Sequence, residues 1–348
     1  LNPNMDISED GTVTTGNEPD RWIPIGNSES TAYTGTFDGN DHTISGLYIN
    51  NSTANDQGLF GRVNGGTVKD LSVSGTVTGS NYVGGVVGLN RGSVEDCDFT
   101  GRVSGSYVGG VVGSNSFSAT VTNCYNTGTV TGPVSASGNN SVRAGGVVGY
   151  NSSSGIVTNC YNTGSVSGPD SGNSVGGVVG LNGGSVTNCY NTGSVSGPDS
   201  GNSNQVGGVV GQNISGNVTD CYFLKTDDVN KDLQGIGNDS AEGAADVNDL
   251  SELCQKFKDD TDTWRIHPVL GRPVLNENKE GGDGSPDSPY EISTATQLEN
   301  FRDLVNGGEK SAHAKLMNNI DLSSVCGPTL DDGSSVSWTP IGNSSRPY

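Results

Sequence analysis

The chain has 348 residues, with 38 Asp and Glu against 17 Lys and Arg and a formal net charge of −21. That balance disfavours nucleic acid and anionic membranes as partners, because both are bound through Lys and Arg. Hydrophobic residues make up only 31% and 55 residues are glycine, yet strict internal repetition argues for order rather than disorder, and no apolar run reaches transmembrane length.

In chain order, the stretch 35–47 (Gly-Thr-Phe-Asp-Gly-Asn-Asp-His-Thr-Ile-Ser-Gly-Leu) leads into Gly58-Leu59-Phe60-Gly61. That is a degenerate copy of a phrase, Gly-Gly-Val-Val-Gly-x-Asn, which then returns at 84–90, 109–115, 145–151, 176–182 and 207–213. The spacings of 25, 36, 31 and 31 residues are those of one solenoid coil per repeat. A second phrase, Thr-Asn-Cys-Tyr-Asn-Thr-Gly, follows at 122–128, 158–164 and 187–193, with variants at 95–101 and 219–224. Alternations such as Thr129-Val130-Thr131 and Ser165-Val166-Ser167 have the period-2 pattern of a strand with one buried face. A unit this short cannot bury its own apolar face, so copies must stack, each pairing its backbone with the next. The expected fold is all-β, a right-handed parallel β-helix (β-solenoid) of roughly nine coils, on the order of 43 Å long, with short helical capping segments. Extra turn-forming residues at 132–140, 168–173 and 197–202 place variable loops at one corner.

Beyond the repeats, a helix is expected near 247–258, with Leu250, Leu253, Cys254 and Phe257 on one side, followed by an extended segment, Trp264–Leu275. Thr294-Ala295-Thr296-Gln297 has capping-box form, and Leu298, Phe301, Leu304 and Val305 give the next helix an apolar face. The domain reading is a β-helix over 1–224, a C-terminal cap over 225–275, an acidic Gly-rich linker over 276–288, and a cap helix plus first-coil copy over 289–348. That copy is direct: Leu316–Ser323 matches Leu1–Ser8 at an offset of 315, and Trp338–Ser344 matches Trp22–Ser28 at an offset of 316. The chain therefore holds one period and the opening of another. With Leu1 in place of Met, it reads as a unit excised from a tandem array or as a subunit that polymerises. An open first coil exposes unpaired backbone that recruits other strands. The expected partner is the protein itself, head-to-tail, with Leu316, Ile320, Leu322, Trp338 and Ile341 of one unit meeting Trp22 and Ile25 of the next.

The cysteines Cys97, Cys124, Cys160, Cys189 and Cys221 share one repeat position, so stacking makes them an inward column of small hydrophobes, with inter-coil disulfides as the alternative. No cofactor is expected, although Asp38, Asn40 and Asp41 in one turn, and Asp170 and Asp199 in the variable loops, are oxygen donors that could hold calcium. Asp-Gly-Asn is equally ordinary turn chemistry. Tyr125, Tyr161, Tyr190 and Tyr222 also recur in register, with Asp98 breaking their column; exposed, they could stack on glycans, and a packing role is the other reading. Acids are sparse in the coils, and Asp96 and Asp220 replace the asparagines Asn123, Asn159 and Asn188, which marks them as structural. No catalytic residue emerges. His42 belongs to a turn, and His267 and His313 have no consistent partner.

The phrases at 35–47 and 58–61, together with the Gly-Gly-Val-Val-Gly and Asn-Cys-Tyr-Asn-Thr-Gly coils, resemble the GLUG-motif repeat proteins. The resemblance implies a parallel β-helix on the bacterial cell surface or secreted, of a kind also found beside IgA-cleaving metallopeptidase domains. The His-Glu-x-x-His zinc motif of those peptidases is absent, so their activity does not carry over. The reading is a non-catalytic extracellular structural or adhesive protein of the bacterial or archaeal surface, working as a filament subunit or one unit of a tandem array. The alternative is a glycan-binding or polysaccharide-degrading β-helix, with glycans as partners.

Overall fold

Valines at alternate positions of a chain otherwise rich in Gly, Ser and Thr can be buried on one side only, and that decides how the chain winds. The computed structural model describes residues 14–15, 18–19, 22–133, 142–169, 174–197, 205–226, 228–238, 243–276, 280–322, 338–339 and 341. Contacts divide the chain into two units, 1–248 and 249–348.

In the first unit β1 (Thr36–Asn50), β2 (Phe60–Thr78) and β3 (Val87–Ser104) pair in parallel. Later coils break into shorter strands and end at β4 (Gln205–Asn213), β5 (Gln234–Ile236) and β6 (Ala244–Val247). Each repeat stacks on the next in register. One ladder runs Ile25, Phe60, Val87, Val112, Val148, Val179, Val210 and Ile236. A second runs Val68, Val94, Val121, Val157, Val186 and Val218. A third runs Val77, Val103, Val130, Val166 and Val195. All the valines of these columns are buried in one continuous core, each contributing about 1.5–3 kcal/mol by leaving water. The described residues thus form a parallel β-solenoid of about six regular turns and a last, less regular one from Val210 to Ile236, where the register shifts. This is fewer than the nine expected, because looped coils use up to 36 residues each.

Two expected boundaries move. The parallel ladder does not stop at residue 224: β5 pairs with β4, and β6 pairs with Cys221–Leu224, so the solenoid runs to Val247. Nor is 276–288 a linker, because its described part is built into the second unit. Gly281, Gly282 and Gly284 take φ of 72°, 80° and 83°, a region open to glycine at little cost, and so turn the chain back on itself. The Arg272 guanidinium pairs with Glu280.

The second unit starts with α1 (Leu250–Phe257), capped by Asp249, whose carboxylate accepts from Glu252 N at 2.7 Å. Phe257 packs on Trp264, ring centroids 4.8 Å apart. An antiparallel pair follows, β7 (Trp264–His267) with β8 (Arg272–Leu275). Then β9 (Tyr290–Ile292), α2 (Ala295–Gly307) and β10 (Ala314–Leu316) form a parallel strand pair bridged by a helix. Val269, Tyr290, Ile292, Phe301, Val305 and Ala312 make its core. His267, without a consistent partner in the sequence reading, is fully buried. Its Nδ1 accepts from Val269 N (3.2 Å) and Leu270 N (3.0 Å), so Nε2 carries the proton and donates to Gly282 O at 2.9 Å. Burial pushes its pKa down to about 4.

Candidate functional surfaces: polar columns and the open first coil

The polar residues of the repeat are spent on the coils themselves. In the Gly-Gly-Val-Val-Gly-x-Asn phrase the final asparagines of the first four copies are buried and that of the last, Asn213, is half-buried. Each Nδ2 donates to the next Oδ1 along Asn90, Asn115, Asn151, Asn182 and Asn213, every link 2.9 Å. Asn126, Asn162 and Asn191 form a second ladder with 2.8 Å links, flanked in the same column by Phe99 and Phe223. The facing glycine is obligatory. A Cβ on Gly146 would lie 2.4 Å from Asn162 Cγ and 2.0 Å from Gly177 O.

A third column, Asp96, Asn123, Asn159, Asn188 and Asp220, sits in the left-handed region, with φ between 50° and 55°. Asn and Asp tolerate that conformation best among non-glycine residues. Here the amides donate the other way along the stack, ending on Asp96 Oδ1 at 3.0 Å. Asp96 therefore terminates a donor chain with an acceptor, and burial pushes its pKa up to about 6.

Cys97, Cys124, Cys160, Cys189 and Cys221 are buried free thiols. Each Sγ donates to the carbonyl two residues earlier at 3.1 Å. Burial pushes the thiols of Cys97, Cys160 and Cys221 well above the usual value. Tyr125, Tyr161, Tyr190 and Tyr222 are in register, and successive rings stack at 4.8 and 5.0 Å from Tyr125 to Tyr190. Tyr161 and Tyr190 are wholly buried, so the column is packing and not an exposed platform for sugars.

Of the calcium candidates, Asp170 and Asp199 lie outside the described residues. Asp38 uses Oδ1 to accept from Asn40 N at 2.8 Å and Oδ2 to meet Lys69 Nζ at 2.8 Å. The hydrogen bond from Lys69 holds its carboxyl below the usual range. Asn40 and Asp41, at φ 50° and 58°, form the irregularity that interrupts the β1 ladder between Asp38 and His42, and His42 Nδ1 lies 2.6 Å from Asn40 O. Among the described residues no three His, Cys, Asp or Glu side chains converge as metal ligands.

At the first coil, sequence reasoning missed a charged cluster. Glu29 bridges Arg62 and Arg91, and Arg62 Nη2 reaches Asp56 Oδ2 at 2.8 Å. Burial raises the Asp56 carboxyl. No repeat phrase contains these residues, so register could not connect them. Beside Asp56 lies a groove of about 650 Å³ whose apolar wall is Trp22, Ile23, Pro24 and Ile49. Of the assembly residues, Ile25 packs on the solenoid core, while Trp22 stays 41% exposed. In the second unit Ile320 and Ile341 pack on the α2 core, Arg302 stands 4.8 Å from the Trp338 ring, Leu322 is half-buried and Leu316 is exposed.

Comparison with known proteins agrees with this geometry. The GLUG motif is matched five times, at 79–104, 104–131, 140–167, 171–196 and 202–224. The chain is 39% identical over 119 residues to halomucin of Haloquadratum walsbyi, a match covering 33% of this chain and 1% of that much longer protein. It also superposes, with a TM-score of 0.51 and 19% identity, on a Bacteroides ovatus protein designated an immunoglobulin A1 protease, over 75% of this chain and 83% of that one. The last likeness is one of fold alone. The coils between Gly79 and Leu224 are GLUG-motif repeats.

Proposed function

We propose that this is a non-catalytic extracellular structural protein, a stiff spacer whose units follow one another in tandem on the cell surface. The observation that carries this is the fate of the polar residues. The asparagines of the repeat phrases donate to each other, coil to coil, inside the solenoid. Those groups are therefore not presented to a substrate. Each coil is tied to its neighbours through in-register strands, which resists bending and extension. The strongly acidic composition keeps such a surface solvated, and the halomucin match is to a very long protein in which one such segment is a small fraction. The test is incubation of the purified protein with a panel of neutral and acidic polysaccharides, together with glycan-array binding. The expected result is neither turnover nor saturable binding. Turnover of any polysaccharide contradicts the proposal.

A further inference from the structure

We propose that the groove at the first coil is the seat of a cap helix of α2's sequence, supplied by a copy of segment 289–315 joined directly ahead of Leu1. The warrant is the internal duplication. In the second copy, Ile320, Trp338 and Ile341 gather on α2 and its core. By the offsets of 315 and 316 their counterparts are Met5, Trp22 and Ile25. Ile25 enters the solenoid, but Trp22 and its neighbour Ile23 are 41% and 65% exposed. Trp22 is held by its edge, Nε1 donating to Leu59 O at 3.0 Å, beside an apolar-walled groove of about 650 Å³. Trp338 is thus half-buried beside Arg302 of α2, while its counterpart Trp22 is 41% exposed.

A second observation agrees. β9 and β10 pair in parallel, the sense of every solenoid pairing, and Met317 N continues the ladder onto Ile292 O at 2.9 Å. The β9–α2–β10 element is therefore built as a coil in which a helix replaces one turn. β10 runs directly into the duplicated opening, so the seating is contiguous in sequence, and a joined copy is the source it favours.

The inference rests on the tandem reading above, and its test is separate. Residues 289–315 are fused ahead of Leu1 in the full chain, and both proteins are labelled with 5-fluorotryptophan. Trp22→Phe identifies one signal among the three tryptophans in fluorine NMR. The solvent-isotope shift of that signal reads its exposure to water. The fusion is expected to lose most of the shift, and Phe301→Asp placed only in the added copy is expected to restore it. An unchanged shift in the fusion overturns the proposal, as does equal loss with a shuffled-sequence segment. A shift already lost in the unfused protein at high concentration overturns the joined source in favour of another molecule. A two-copy protein that stays extended in scattering while Trp22 stays open overturns the seating and leaves the spacer reading standing.

Discussion

An amide in an apolar core is tolerated only while every donor and acceptor has a partner. Asn162 Oδ1 accepts from Asn126 Nδ2, and Asn162 Nδ2 donates to Asn191 Oδ1 and Gly164 O. Asn162→Ala would strand groups on three residues, and is expected to cost about 2–4 kcal/mol in urea unfolding. Asp96 should behave in the opposite way. Its carboxyl keeps a proton up to about pH 6 in the folded protein, against 3.8 for an aspartate in water. The native state therefore binds more protons between those values, and stability falls as pH rises through them. Asp96→Asn restores the column's own residue type. It is expected to gain about 1 kcal/mol at pH 7, after discounting for solvent at this half-buried site. The gain should vanish below pH 4, and melts of both proteins at pH 4 and 7 check it.

At the end of β7 the second unit depends on a neutral histidine. Folded His267 has a pKa near 4 against 6.5 when free. Below pH 6.5 the unfolded chain takes up a proton that the folded site refuses, so stability is lost as pH falls from 6.5 to 4. The loss is expected to be roughly 3 kcal/mol, and it should be smaller in His267→Gln when the two proteins' unfolding curves are compared across that window. How much of this was legible in the sequence follows from what each element rests on. The coils were legible because repetition puts the same residue at the same rung. Both helices were legible from their apolar spacing, and α2 from its Thr294 cap, which accepts from Gln297 N at 3.2 Å. The segment 276–288 was misread because its acidic, glycine-rich composition is shared by linkers and tight turns. The positive φ of Gly281, Gly282 and Gly284, and the buried His267 that holds Gly282, decide between the two, and neither is visible in composition. The Glu29–Arg62–Arg91–Asp56 cluster was illegible because nothing in its sequence marks which side chains one coil presents to the next.

Across the whole solenoid each coil touches only its neighbours, so stability is close to a sum of like terms. Removing one full period, residues 145–175, joins Ala144 to Gly176 with every column still in register, since Ala144 and Val175 occupy the same rung. That deletion is expected to fold, with the far-UV dichroism of the parent, whereas removing half a period should abolish cooperative unfolding because every valine would change walls. The central claim is that units of this chain continue one another as a stiff spacer. It is tested most directly by small-angle X-ray scattering from a protein carrying residues 1–315 twice in succession. The expected result is a longest dimension close to twice that of one copy with an unchanged cross-section. Two copies folded back on each other, seen as a thicker cross-section with little gain in length, would contradict it.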